Sequence, residues 1–196
     1  MSKTGIIILA AGNSTRMGEL KQLMMYKNKT FLQHIIGEAK NANLEPVICV
    51  NGYESDLITQ SISVMDVDIV YNENWSDGMG TGIAAGIKRL LLSDVDSVIL
   101  AVSDQPHVSS ELFGKMQQLK EKSGKRIIAC SYAHTLGTPV LFGKHYFNDL
   151  KLLSGNEGAK KIVQLNMPDV SPIEFEKGNI DIDTKGDYEK LISEIE

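Results

Sequence analysis

Short runs of β-branched and aliphatic residues, separated by longer segments whose apolar residues recur at helical spacing, restrict this chain more than any other feature. Six runs are legible, at residues 5–10, 46–51, 67–72, 97–102, 126–131 and 139–142. The first four are nearly all apolar, as strands are when both faces are covered. Between them, residues 30–42 place Phe31, Leu32, Ile35, Ile36 and Ala39 on one helical stripe, with Thr30 as N-cap. Residues 80–92 repeat the pattern with Ile83, Ala84, Ile87, Leu90 and Leu91, and residues 109–122 with Leu112, Phe113, Met116 and Leu119. Strand and helix in strict alternation predict a three-layer α/β/α, Rossmann-like domain around a mostly parallel sheet.

The alternation falters between residues 131 and 179, where short helical pieces accompany a candidate edge strand at 168–177. Beyond it, Thr184 and Asp187 have capping-box spacing ahead of a helix carrying Tyr188, Leu191, Ile192 and Ile195. No repeat or linker-like tract divides the 196 residues. One domain is expected over 1–196, with a ligand-binding part at 1–130, an inserted region at 131–180 and a closing segment at 181–196.

A net charge of -5 supplies no broad cationic field, which argues against a protein that tracks nucleic acid. Cys49 and Cys130 each close an apolar run, the usual place of buried thiols, and suggest a reducing compartment. The sequence has neither signal-peptide layout nor an apolar stretch of membrane-spanning length, so a cytoplasmic location is expected. The four histidines, His34, His107, His134 and His145, share no metal-ligand spacing.

Leu9-Ala10-Ala11-Gly12-Asn13-Ser14-Thr15-Arg16-Met17-Gly18-Glu19-Leu20-Lys21 leaves the first strand with small residues before bulk returns. Small side chains let backbone N–H groups approach an anion, while Arg16 offers a planar fork and Lys21 a mobile point charge, as a polyphosphate needs. The string is neither a P-loop nor a dinucleotide fingerprint. On its residues alone, an ordinary strand-to-helix turn with a solvated Arg16 serves equally well. Ser103-Asp104-Gln105-Pro106 follows the strand at 97–102, where Asp104 either opens a turn or offers a carboxylate to a hard cation. Asp181-Ile182-Asp183-Thr184 adds two more carboxylates pointing alternately, of which only one is expected to face a site.

These strings together resemble the MobA-like nucleotidyltransferases of molybdenum cofactor, a group that includes cytidylyltransferases. The resemblance runs over nearly the whole chain and implies the nucleotide-diphospho-sugar transferase type of fold. It implies that the first loop surrounds a nucleotide, that Arg16 and Lys21 contact its phosphates, and that Asp104 and Asp183 hold Mg²⁺. The Ala10-Ala11-Gly12 form is associated there with cytosine nucleotides, which points to CTP. Leu9, Asn13, Ser14, Asn72, Gly78, Thr81 and Ser103 fall at further nucleotide-side positions, and Trp75 reads as packing. Arg16, Lys21 and Asp104 are the implied catalytic groups.

Gly137, Thr138, Pro139 and Asn156 match acceptor-side positions but depart from the pattern. Thr138 replaces a usual histidine and Asn156 a usual aspartate. The implied reaction is attack by an acceptor phosphate, that of molybdopterin or molybdenum cofactor, on the α-phosphorus of CTP, with a molybdenum hydroxylase as a possible client. A sugar- or polyol-phosphate acceptor is the alternative those departures keep open; a non-catalytic nucleotide-binding maturation factor is a second, against which the intact Arg16, Lys21, Asp104 and Asp183 argue.

Overall fold

The structure is a computed structural model that describes residues 3–15 and 17–194. Arg16 and Ile195 lie outside the described residues. The strands are β1 (Thr4–Leu9), β2 (Met25–Tyr26), β3 (Lys29–Thr30), β4 (Val47–Asn51), β5 (Asp68–Tyr71), β6 (Ser97–Val102), β7 (Ile127–Tyr132), β8 (Thr135–Gly143) and β9 (Val170–Glu174). The α-helices are α1 (Phe31–Asn41), α2 (Ser55–Ser61), α3 (Met79–Leu90), α4 (Ser110–Ser123), α5 (Phe147–Lys151), α6 (Lys160–Leu165) and α7 (Lys185–Ser193).

Seven strands form the central sheet in the order β5-β4-β1-β6-β8-β7-β9. β4, β1, β6 and β5 are mutually parallel, and β7 is parallel to β9. β8 pairs antiparallel with both β6 and β7. From β1 the chain builds outward through β4 and β5, then returns through α3 to place β6 on the other flank of β1. The strand order reverses between the parallel neighbours β1 and β6, so the loops after them lie side by side at the carboxyl edge where open α/β sheets bind ligands.

The period-two alternation of the strands divides the core between two faces. Ile6 and Ile8 point toward α1 and α4, packing with Leu32, Ile36, Phe113 and Met116. Ile7 points toward α3, α5 and α6, packing with Ile83, Ile87, Leu150 and Val163. A third cluster of Met17, Tyr26, Phe31, Ile182 and Leu191 docks α7 over the start of α1. The expected caps are present: Thr30 with Gln33, and Thr184 with Asp187, each form a reciprocal capping box.

The departures from expectation have local causes. The strand expected at 139–142 is the end of the nine-residue β8, which with β7 forms a hairpin. Its turn residues Ala133 and His134 both have positive φ, 47° and 60°. Leu91 is exposed rather than core-facing, because α3 stops at Leu90. The small β2–β3 sheet and α2 are additional. The edge strand foreseen near the C-terminus is β9.

Candidate active site

The loop leaving β1 is pinned from beneath by one buried amide. Ala10 N–H still donates to Val50 O (2.8 Å), continuing the sheet, before the chain arches away. Gln22, only 2% exposed, donates from Nε2 to Ala10 O (3.1 Å) and Gly12 O (2.8 Å) and accepts from Ser14 Oγ (3.3 Å). The Ser14 carbonyl receives Met17 N–H and Gly18 N–H, while the Met17 side chain is buried in the third cluster. A Cβ placed on Gly12 would meet no atom of the described residues within 4 Å, which leaves space for a ligand beside it.

Lys21 extends from this loop between two carboxylates that lie far away in sequence. Its Nζ is 2.5 Å from Asp104 Oδ2 and 2.9 Å from Asp183 Oδ1. The C-terminal segment reaches this point because Ile182 is buried beneath it and donates its N–H to Asp104 O (3.1 Å). Burial lowers the pKa of the Lys21 ammonium, but attraction and hydrogen bonds from Asp104 and then Asp183 more than compensate, leaving it above the ordinary lysine value. The ammonium is thus charged at neutral pH. Residues 180–184 do not form a strand, and Asp181 stays within electrostatic reach of the same centre. Its carboxyl is pushed up to about 6, by desolvation first and by the Asp104 charge second.

Asp104 Oδ1 is buried without a hydrogen-bond partner among the described residues. A buried carboxylate oxygen in that condition is costly unless something positive completes it. Two carboxylates beside an open phosphate-sized crevice suit magnesium, a hard ion that takes one or two protein carboxylates together with phosphate oxygens and water. Among the described residues, no group of three or more His, Cys, Asp or Glu side chains is arranged to hold a metal unaided.

A hollow of about 590 Å³ adjoins the triad. Leu9, Ala11, Gly12 and Asn13 form one wall, and Lys21, Gln22, Val102, Ser103 and Asp104 the charged end. Asn72, Trp75, Ser76, Gly78, Met79 and Gly82 form the opposite wall. Ala10 is buried behind the loop and Ser14 is engaged with Gln22. Asn72 and Thr81, expected to meet the nucleotide, hydrogen-bond each other (2.9 Å), and the Thr81 hydroxyl is also within bonding distance of Asn74 O and Gly78 O, both 2.8 Å. Their polar groups brace the entry to α3. Trp75 packs at 5.4 Å on the Tyr53 ring, in keeping with its expected packing role.

The residues expected on the acceptor side separate into two places. Asn156 lines the same hollow as the signature loop, because residues 154–158 rest on the start of α3, where Gly80 N–H donates to Gly155 O (2.9 Å). Any side chain on Gly80 would strike Ser154 O and Glu157 O. Gly137, Thr138 and Pro139 lie on β8, with the Tyr132 side chain against Gly137. Gly137 and Gly178 leave room for the Tyr132 ring, since a Cβ on either would collide with it. Gln22, Tyr132 and Gln105 were not singled out as site residues from the sequence.

A larger hollow, about 750 Å³, is lined by Lys3, Thr4, Glu45, Pro46 and Val95 at the amino ends of the strands. It lies at the end of the sheet opposite the one where such folds bind ligands.

The family model described as a MobA-like NTP transferase domain matches residues 6–170. The bifunctional protein GlmU of Buchnera aphidicola is 28% identical over 142 residues, covering 71% of this chain and 30% of that protein. GlmU of Lactobacillus gasseri is covered to 26%, so the chain spans less than a third of the length of the GlmU proteins it matches. A probable molybdenum cofactor guanylyltransferase of Bacillus mycoides is 34% identical over 112 residues, 57% of this chain and 54% of that one. Among solved structures, Rv0371c of Mycobacterium tuberculosis aligns with a TM-score of 0.82 at 25% identity, covering 98% of this chain and 99% of its own. That protein is also known in complex with manganese.

Proposed function

The chain belongs to the MobA-like NTP transferase family, and from that premise we propose that it transfers CMP from CTP to the phosphate of molybdenum cofactor, releasing pyrophosphate. An acceptor phosphate oxygen attacks the α-phosphorus as the bond to the β-phosphate oxygen breaks, and the electron pair leaves on pyrophosphate. No covalent enzyme intermediate is required. The chain's work is then alignment and charge neutralisation.

Lys21, together with Arg16, takes the β,γ side of the triphosphate, and the loop N–H groups after Leu9 approach its oxygens. Asp104 and Asp183 would hold Mg²⁺, which when bound neutralises charge on the phosphate oxygens as a Lewis acid. The ribose and base take the hollow between Ala11, Gly12 and Asn13 on one wall and Gly78, Met79 and Asn156 on the other. Gly137, Thr138 and Pro139 stand toward the acceptor, beside Tyr132.

The observation that carries this reading is the meeting of Asp104 and Asp183, from distant parts of the chain, on one ammonium at the foot of the loop. The Ala10-Ala11-Gly12 form favours cytosine. The manganese complex of Rv0371c is in keeping with a divalent ion at such a site. Cytoplasmic location follows from the reaction class, and among the described residues no helix is long and apolar enough to cross a membrane.

The test is pyrophosphate release from CTP, GTP and ATP in turn, with Mg²⁺, with and without molybdenum cofactor. CTP with cofactor should give release, and Asp104→Ala should abolish it without loss of fold. Wild-type release from that variant would defeat the metal assignment. Turnover only with a sugar or polyol phosphate would transfer the reading to that acceptor class, which Thr138 and Asn156 keep open. CTP binding without any release would leave a nucleotide-binding maturation factor.

A further inference from the structure

Lys21 does more here than reach for a phosphate. Its ammonium bonds Asp104 Oδ2 at 2.5 Å and Asp183 Oδ1 at 2.9 Å, tying the loop after β1 to residues 83 and 162 positions away in sequence. These are the carboxylates assigned above to the divalent ion. A magnesium ion bonds oxygen at ~2.0–2.1 Å, so an ion that takes up the unpartnered Asp104 Oδ1 and also engages Asp183 Oδ1 must share the latter with the ammonium. Two cations crowded onto the same pair of carboxylates would also repel each other.

Resting on that metal assignment, we propose that Lys21 makes metal binding conditional on the triphosphate. Alone, a divalent ion competes with a tethered cation already hydrogen-bonded to both carboxylates. A triphosphate changes both sides of the exchange. It offers the ammonium, on its flexible four-carbon stem, a new anionic partner, and it offers the ion additional oxygens. Lysine passes to the phosphates as the ion enters between the aspartates. Metal and triphosphate are therefore positively coupled, and by linkage each raises the affinity of the other by the same factor. The site loads as a unit, with the ion in place only when there is a phosphate chain to act on.

The test reads Mn²⁺ binding by electron paramagnetic resonance, with no turnover involved, on the full chain. Lys21→Met should bind Mn²⁺ alone roughly 10-fold more tightly than wild type, within the usual span of such couplings. In wild type, CTP should tighten Mn²⁺ by a similar factor, and in Lys21→Met by less. Lys21→Arg, which keeps the charge, should bind Mn²⁺ alone as weakly as wild type. A lysine that only supported the fold would give the opposite sign, because its loss would loosen the metal site. Equal or weaker Mn²⁺ binding by Lys21→Met and Lys21→Gln overturns the proposal. If these variants are unfolded without metal, thermal melts decide: Mn²⁺ must raise their midpoints more than that of wild type, and no such rise overturns it. Failure of the metal assignment itself looks different, since then wild type with CTP would not take up Mn²⁺ either and Asp104→Asn would change nothing.

Discussion

Gln22 holds the loop after β1 in shape through bonds that no other described side chain duplicates. Its buried amide satisfies the carbonyls of Ala10 and Gly12 and accepts from Ser14. Gln22→Met keeps the volume and strands those carbonyls, a penalty of about 1–3 kcal/mol. At roughly 2–4 °C per kcal/mol for a chain of this size, calorimetry should show a lowered melting midpoint. CTP titration should show weaker binding, because the loop no longer arrives preformed. Melting and titration curves that overlay those of wild type would show that the loop holds itself. The sequence points to Lys21 and Asp104 because their chemistry is written in side-chain type: cations in a glycine-rich loop, a carboxylate at a strand end. It does not point to Gln22, which beside a lysine reads as a surface residue until the carbonyls above it are seen. Asn72 and Thr81 carry groups apt for a nucleotide, and sequence does not show that these groups are also engaged with each other.

The parallel strands could be read from their continuous apolar runs, and α1, α3 and α4 from their stripes. The β7–β8 hairpin could not. Two-residue turns of this kind require positive φ at both positions, a demand usually met by Asn-Gly, whereas Ala133 and His134 give no such signal. Nor does sequence separate one glycine from another on α3. Gly86 presses on the sheet, where an added Cβ would lie 2.7 Å from Ile7 Cγ2 and 3.1 Å from Val50 Cγ2. Gly82, one turn earlier, would meet Leu9 and Asn72 at 3.6 Å, an ordinary contact. Gly86→Ala should therefore cost about 1–3 kcal/mol from overpacking, offset by up to ~1 kcal/mol of helix propensity. Gly82→Ala should keep that gain without the penalty. Urea midpoints should fall for the first and hold or rise for the second. Equal midpoints would mean that α3 can withdraw from β1 at little cost.

Besides the backbone ladders, one carboxylate ties the outer strands of the sheet together. Asp169, just before β9, accepts from Arg126 N–H (3.1 Å) and Nε (2.7 Å) ahead of β7, and from the Tyr146 hydroxyl (2.7 Å) after β8. Burial alone would raise its pKa, but the Tyr146 and Arg126 bonds outweigh it and hold the carboxyl below the ordinary 3.8. The unfolded chain therefore binds this proton at a higher pH than the native chain does. Its contribution is complete above about pH 4, declines as pH falls toward the native pKa, and is gone below it. Asp169→Asn should lower stability at neutral pH by about 1.5–3 kcal/mol, the range for hydrogen bonds to a charged group. It should also flatten the loss of stability as pH falls below about 4, as read from urea midpoints on the acid side. An unchanged acid slope in the variant would place the acid sensitivity elsewhere. The site depends on this tie at a distance, because β8 lies between β7 and β6 and the carboxyl end of β6 carries Asp104. Loss of the outer strands uncovers β6 itself, so in acid the capacity to bind nucleotide should disappear together with the fold, at one midpoint for wild type and at a shifted one for the variant.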